Sequence, residues 1–107
     1  QSLAQSENSI AIGSQASATV KDAISLGYLS KGGGSFAVAI RTGTIANGYS
    51  PTALGSGAQA TADEASALGI YASATELQSV ALGARSSCSG RRTFHLGDSR
   101  VCRAAHR

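Results

Sequence analysis

A short segment closing on a fixed glycine slot returns every 14 residues along this chain, without insertion or deletion. It reads Ser9-Ile10-Ala11-Ile12-Gly13, then Ala23-Ile24-Ser25-Leu26-Gly27 and Ala37-Val38-Ala39-Ile40-Arg41. Pro51-Thr52-Ala53-Leu54-Gly55, Ala65-Ser66-Ala67-Leu68-Gly69, Ser79-Val80-Ala81-Leu82-Gly83 and Thr93-Phe94-His95-Leu96-Gly97 follow. A repeat this regular restricts the chain to a stack of like units, each resting on its neighbours.

The columns of the repeat carry the chemistry. The residue before the glycine is always a large aliphatic: Ile12, Leu26, Ile40, Leu54, Leu68, Leu82 and Leu96. Two residues earlier stand Ile10, Ile24, Val38, Thr52, Ser66, Val80 and Phe94. A period of two within five residues predicts a strand with one buried face, so the aliphatic series is expected to form the structural core column. Five residues after the glycine slot lie Ala18, Gly32, Ala46, Ala60, Ala74, Cys88 and Cys102, all small, which predicts close approach of two sheets or of neighbouring chains. Fourteen residues accommodate two short strands and two tight corners. Stacked at about 4.8 Å, seven such units make a rod segment roughly 34 Å long. Gly13, Gly27, Gly55, Gly69, Gly83 and Gly97 supply corners that need positive φ. Arg41 breaks that series, so an irregular third turn is expected, with Gly43 relocating the corner and Gly32-Gly33-Gly34 forming a flexible or bulged one. The recurring glycine and the Ser, Thr and β-branched content oppose a helix, and collagen is excluded because glycine does not recur every third residue.

With only five aromatics and neither Met nor Trp among 107 residues, the apolar content is largely Ala. At ~25 cal/mol per Å² such a core is thin, so a regular hydrogen-bonded ladder or a partner chain must contribute. Charge is unevenly placed. Residues 1–84 carry three Lys and Arg against five acids, a net −2, while residues 85–107 carry six Arg against Asp98, a net +5. That Arg-rich end lacks interleaved aromatics and a nucleic-acid fold signature, so no nucleic-acid partner is expected. The chain has no apolar run of about 18 residues, and so no helical membrane span. It does not open on a secretion leader, so any such signal is expected outside this segment.

Catalytic constellations are missing. His95 and His106 both sit in the Arg-rich end, and His95 is expected to face outward on its strand. His95, His106, Cys88 and Cys102 fit no familiar zinc spacing, and neither a metal nor a cofactor is expected. Cys88 and Cys102 share a column, and two free thiols are expected there, a disulfide being the alternative. Gly32-Gly33-Gly34 is not followed by the Lys and Ser or Thr of a phosphate loop. An ice-binding solenoid would need regular Thr ranks, but the column six after the glycine slot is interrupted: Thr19, Gly33, Asn47, Thr61, Thr75, Ser89 and Arg103. The chain is therefore not expected to be an enzyme.

From Asn8-Ser9-Ile10-Ala11-Ile12-Gly13 and its six echoes, the chain resembles the YadA-like head repeats of trimeric autotransporter adhesins of Gram-negative bacteria. The resemblance covers residues 2–87 well; residues 88–107 join it only through Thr93 to Gly97. It implies an all-β fold, a left-handed parallel β-roll with 14-residue turns assembled as a homotrimer. Residues 1–87 would form the head roll and 88–107 a divergent Arg- and Cys-rich last turn or cap. It also implies a passenger exposed at the bacterial cell surface, joined to the outer membrane through an anchor and stalk absent from this chain, and a role in virulence. The implied function is adhesion without catalysis, to host extracellular matrix such as collagen, fibronectin or laminin, or cell attachment. A structural spacer without its own ligand and an ice- or polysaccharide-binding solenoid are the alternatives. In the collagen-binding member the ligand site spreads over copies of Asn-Ser-Val-Ala-Ile-Gly-x-x-Ser. Residues Asn8 to Gly13 follow that motif with Ile10 for Val and Ala16 at its final Ser. Residues Gln78 to Gly83 end correctly on Ser86 but depart at Gln78 and Leu82. Asn8, Ser9, Ser79 and Ser86 are thus the candidate ligand-binding residues.

Overall fold

A computed structural model describes residues 1–88, together with the backbone of two later strands, 93–96 and 103–104. Each 14-residue unit forms one three-residue strand and one two-residue strand. The longer series is β2 (Ile10–Ile12), β4 (Ile24–Leu26), β6 (Val38–Ile40), β8 (Thr52–Leu54), β10 (Ser66–Leu68) and β12 (Val80–Leu82). The shorter is β1 (Leu3–Ala4), β3 (Ser17–Ala18), β5 (Lys31–Gly32), β7 (Ile45–Ala46), β9 (Gln59–Ala60), β11 (Ser73–Ala74) and β13 (Ser87–Cys88). Like strands stack in parallel, each residue on the one 14 positions ahead: Leu26 on Ile40, Leu54 on Leu68, Ala46 on Ala60. The result is a parallel β-solenoid of about six turns, bounded by the seven registers seen in the sequence. β14 (Thr93–Leu96) continues the longer series, and β15 (Arg103–Ala104) pairs with it antiparallel.

Two four-residue turns close each unit. One runs from the end of a long strand into a short one, as in Gly13–Ala16, where the Ala16 amide donates to the Gly13 carbonyl at 3.1 Å. The other leads into the next long strand, as in Ser6–Ser9, closed at 3.1 Å. The third residue of every such turn lies in the left-handed region, which produces a positive φ every seven residues from Asn8 to Arg85, between 56° and 72°. Tight corners of this kind need that conformation at their third position, and most L residues resist it at about 1–2 kcal/mol. The chain accepts the strain because each turn also seats its neighbours: the Arg85 amide donates to the Ile70 carbonyl at 2.7 Å.

The direction in which the strands face overturns the expected core. The middle residue of each long strand points inward, and Ser25, Ala39, Ala53, Ala67 and Ala81 are fully buried. Ala18, Ala46, Ala60, Ala74 and Cys88 face them from the short strands, and Gly32 is buried in the same column. The aliphatics Ile12, Leu26, Ile40, Leu54, Leu68 and Leu82 lie on the outer face instead, Ile12 at 62% exposure. The physical reason is thickness. The roll measures 39 × 22 × 12 Å, and sheets drawn that close leave room inside for methyl and hydroxymethyl groups but not for leucine. Of the expected core column, the Leu96 side chain lies outside the described residues.

The third turn keeps its register. Arg41 takes the corner itself at φ 102°, and Gly43 fills the ordinary third position of the turn at φ 68°, so the corner is not relocated. The distortion is confined to the closing bond, where Thr44 N reaches the Arg41 carbonyl at 3.4 Å against about 3.1 Å elsewhere. Nor do Gly32, Gly33 and Gly34 form a bulge, because Lys31 and Gly32 pair directly with Ile45 and Ala46. These glycines sit tightly under the next unit; a Cβ on Gly33 would lie 2.2 Å from Asn47 Oδ1.

Candidate binding surface

Four surfaces flank the roll, and the repeat gives each its own character. The outer face of the long-strand sheet carries two ranks, Ile10, Ile24, Val38, Thr52, Ser66, Val80 and Ile12, Leu26, Ile40, Leu54, Leu68, Leu82. It is a continuous and largely apolar stripe along the rod. The outer rank of the short-strand sheet is mainly polar: Leu3, Ser17, Lys31, Ile45, Gln59, Ser73, Ser87. The edge formed by turns entering the long strands holds Glu7, Asp22, Asp63, Glu64 and Glu76, all the acids of residues 1–88, together with Lys21 and the exposed Phe36 and Tyr49. The rings of Phe36 and Tyr49 meet edge to face at 5.6 Å. Asp63 Oδ1 accepts a hydrogen bond from the Tyr49 amide at 2.9 Å, and Gln78 Nε2 donates to Glu64 Oε1 at 2.7 Å. Both bonds tie successive turns together. The opposite edge carries no acid in residues 1–88. It presents Arg41, Arg85 and the exposed Tyr28, Leu29, Ile70 and Tyr71.

Most of the candidate ligand-binding residues are drawn into the turns. Ser79 and Ser86 are fully buried, and their hydroxyls donate to the carbonyls of Glu76 at 2.7 Å and Gly83 at 2.8 Å. Ser9 does the same to Ser6 at 2.7 Å. A serine in this slot satisfies a turn carbonyl that the thin interior otherwise leaves with one partner, so the fully buried Ser79 and Ser86 are corrected from ligand contacts to turn closers, while Ser9 closes its turn half-buried. Asn8 remains on the surface, at the left-handed position of its turn (φ 58°). The glycines end their strands at φ 120° (Gly13), 125° (Gly27), 126° (Gly55), 129° (Gly69) and 114° (Gly83). They also lie close on one another, since a Cβ on Gly55 would come within 2.6 Å of the Gly69 carbonyl carbon. Gly97 lies outside the described residues, as do Cys102, His106 and the side chain of His95.

Cys88 is disulfide-bonded, which corrects the expectation of a free thiol. Among the described residues no group of His, Cys, Asp and Glu is placed to hold a metal ion. Among the described residues no helix is long and apolar enough to cross a membrane.

The model of the YadA head domain repeat (2 copies) matches residues 4–30, 46–72 and 60–86. The chain belongs to the YadA head repeat family. That makes it an adhesin-type, surface-exposed bacterial domain. The last two matches are offset by one 14-residue unit, and the stretch they skip, 31–45, holds the glycine triplet and Arg41. No curated protein matches the chain.

Sequence periodicity found the strands but not which face is buried, because a period of two is symmetric between faces. Side-chain volume was the available signal, since from Ala11 to Ala81 the middle position of the long strands never exceeds Ser while the position after it is always Leu or Ile.

Proposed function

We propose that this chain is a segment of a bacterial adhesin head that works as a homotrimer and binds host extracellular matrix without catalysis. The observation that carries the reading is the apolar stripe on the outside of the long-strand sheet. Soluble chains rarely leave a contiguous apolar stripe of this extent to water, and the interior is too small to take it. Three copies facing their stripes inward would bury it and supply the leucine core that one roll lacks. The polar short-strand sheet would then face outward, repeating one surface every ~4.8 Å along the rod. Such a surface suits an elongated ligand, because weak contacts repeated along a rigid scaffold gain from multivalency. An anchor elsewhere in the protein would hold the passenger at the outer membrane.

Solid-phase binding of the purified trimer to collagen, fibronectin and laminin tests the function. Saturable binding to one of them, lost on reversing the charge of Lys31 and replacing Gln59 in the outward rank, supports adhesion. A trimer that binds none of the three contradicts it and favours a spacer.

A further inference from the structure

The two edges of the roll differ in shape and charge, which bears on how copies of the chain would pack edge to edge. This inference rests on the three-chain assembly proposed above. On the acid-free edge the third turn position is filled by Gln15, Leu29, Tyr71 and Arg85, but by glycine at Gly43 and Gly57. A Cβ at Gly43 would meet nothing within 4 Å, and Gly57 is roofed by the Tyr71 ring, 2.6 Å from where its Cβ would stand. The Gly43 position alone thus leaves a notch, bounded by Leu29 on one side and by the Tyr71 ring lying over Gly57 on the other. On the acidic edge, between the heights of Gly43 and Gly57, stands Tyr49: it is 52% exposed, packs edge to face on Phe36 of the unit below, and its turn is held by the bond from its amide to Asp63.

Chain order sets height along the rod, since 14 residues climb one rung of about 4.8 Å. Tyr49 follows Gly43 by six residues and precedes Gly57 by eight. It therefore stands roughly 2 Å above the first and 3 Å below the second, at the level of the notch. A three-fold axis along the rod preserves these heights and brings the acidic edge of each roll against the acid-free edge of the next, a heterologous contact that closes on itself. The same superposition sets Phe36 roughly 2.4 Å from the level of Leu29, apolar against apolar, and Arg85 roughly 3 Å from that of Glu76, opposite in charge.

We propose that Tyr49 of each chain seats in the notch at Gly43 of its neighbour, beneath the Tyr71 ring, and that this fixes the axial register of the assembly. A Gly43→Cys, Tyr49→Cys double variant tests it. The two positions lie on opposite edges of a roll 22 Å across, too far apart to bond within one chain. After mild oxidation, non-reducing gels are expected to show covalent dimers and trimers for the double variant and neither for each single variant. A particle of trimer mass that does not cross-link overturns the seating and leaves the assembly standing. A monomeric wild-type chain overturns both. In case losing the Tyr49 ring itself loosens the trimer, Gly43→Trp is made with Tyr49 intact and Gln15→Trp as its control. The seating predicts at least tenfold weaker association for Gly43→Trp alone, with the strand signal in circular dichroism unchanged. Equal association of the two variants overturns it.

Discussion

Ser25 and Ser30 show how little the interior tolerates an unpaired polar atom. Their hydroxyls meet at 2.7 Å inside the roll, and Ser30 Oγ donates to the Gly27 carbonyl at 2.8 Å. Ser30 has one proton, so Ser25 donates to Ser30. Other units put Ala in both columns, at Ala53 and Ala58 for example. Ser30→Ala is therefore expected to cost about 1–3 kcal/mol by stranding the Ser25 hydroxyl, and adding Ser25→Ala is expected to restore most of it. Denaturant midpoints of the two variants check this; losses that simply add contradict the shared bond. Arg41 is the converse case. At φ 102° it holds a conformation that L side chains rarely adopt, in a slot where the other described units carry glycine. Arg41→Gly is expected to stabilise the roll by about 1 kcal/mol and to shorten the 3.4 Å closure at Thr44.

At the level of the strand, inner and outer positions one residue apart do different work. Ala53 is fully buried between the sheets, and Leu54 beside it lies on the outer stripe. Ala53→Leu is expected to destabilise the roll by more than the ~1–3 kcal/mol typical of overpacking, because the neighbouring rungs cannot spread without breaking their ladders. Leu54→Asp is expected to leave the strand signal intact while abolishing association. Thermal unfolding together with particle mass separates the two outcomes, and loss of fold in Leu54→Asp would place that side chain inside. Repeat length, strand positions and corner glycines were all legible in the sequence, because each leaves a residue of distinctive type at a fixed spacing. Three features were not. The buried face was hidden by the symmetry of alternation. The left-handed position recurring every seven residues was hidden because strained side chains such as Leu29, Phe36 and Tyr71 occupy it. The turn-closing serines Ser79 and Ser86 read as ligand contacts because a hydroxyl that satisfies a carbonyl and one that meets a partner look alike in a motif.

Across the whole molecule, each unit touches only its neighbours, so stability accrues along one dimension. The Ala interior contributes little burial per rung, and ladder bonds contribute about 1 kcal/mol each net. What remains unburied is the aliphatic stripe, the largest apolar resource the chain has. On the proposed assembly the roll is half of a core completed by copies of itself, and association is expected to raise the stability of a roll that already holds its own ladder. Static light scattering on the purified chain, read alongside Leu54→Asp, addresses that claim most directly. Three copies of a 10.7 kDa chain predict a particle of about 32 kDa that falls to the single-chain mass when Asp enters the stripe. A stable, soluble 10.7 kDa wild-type particle would contradict it.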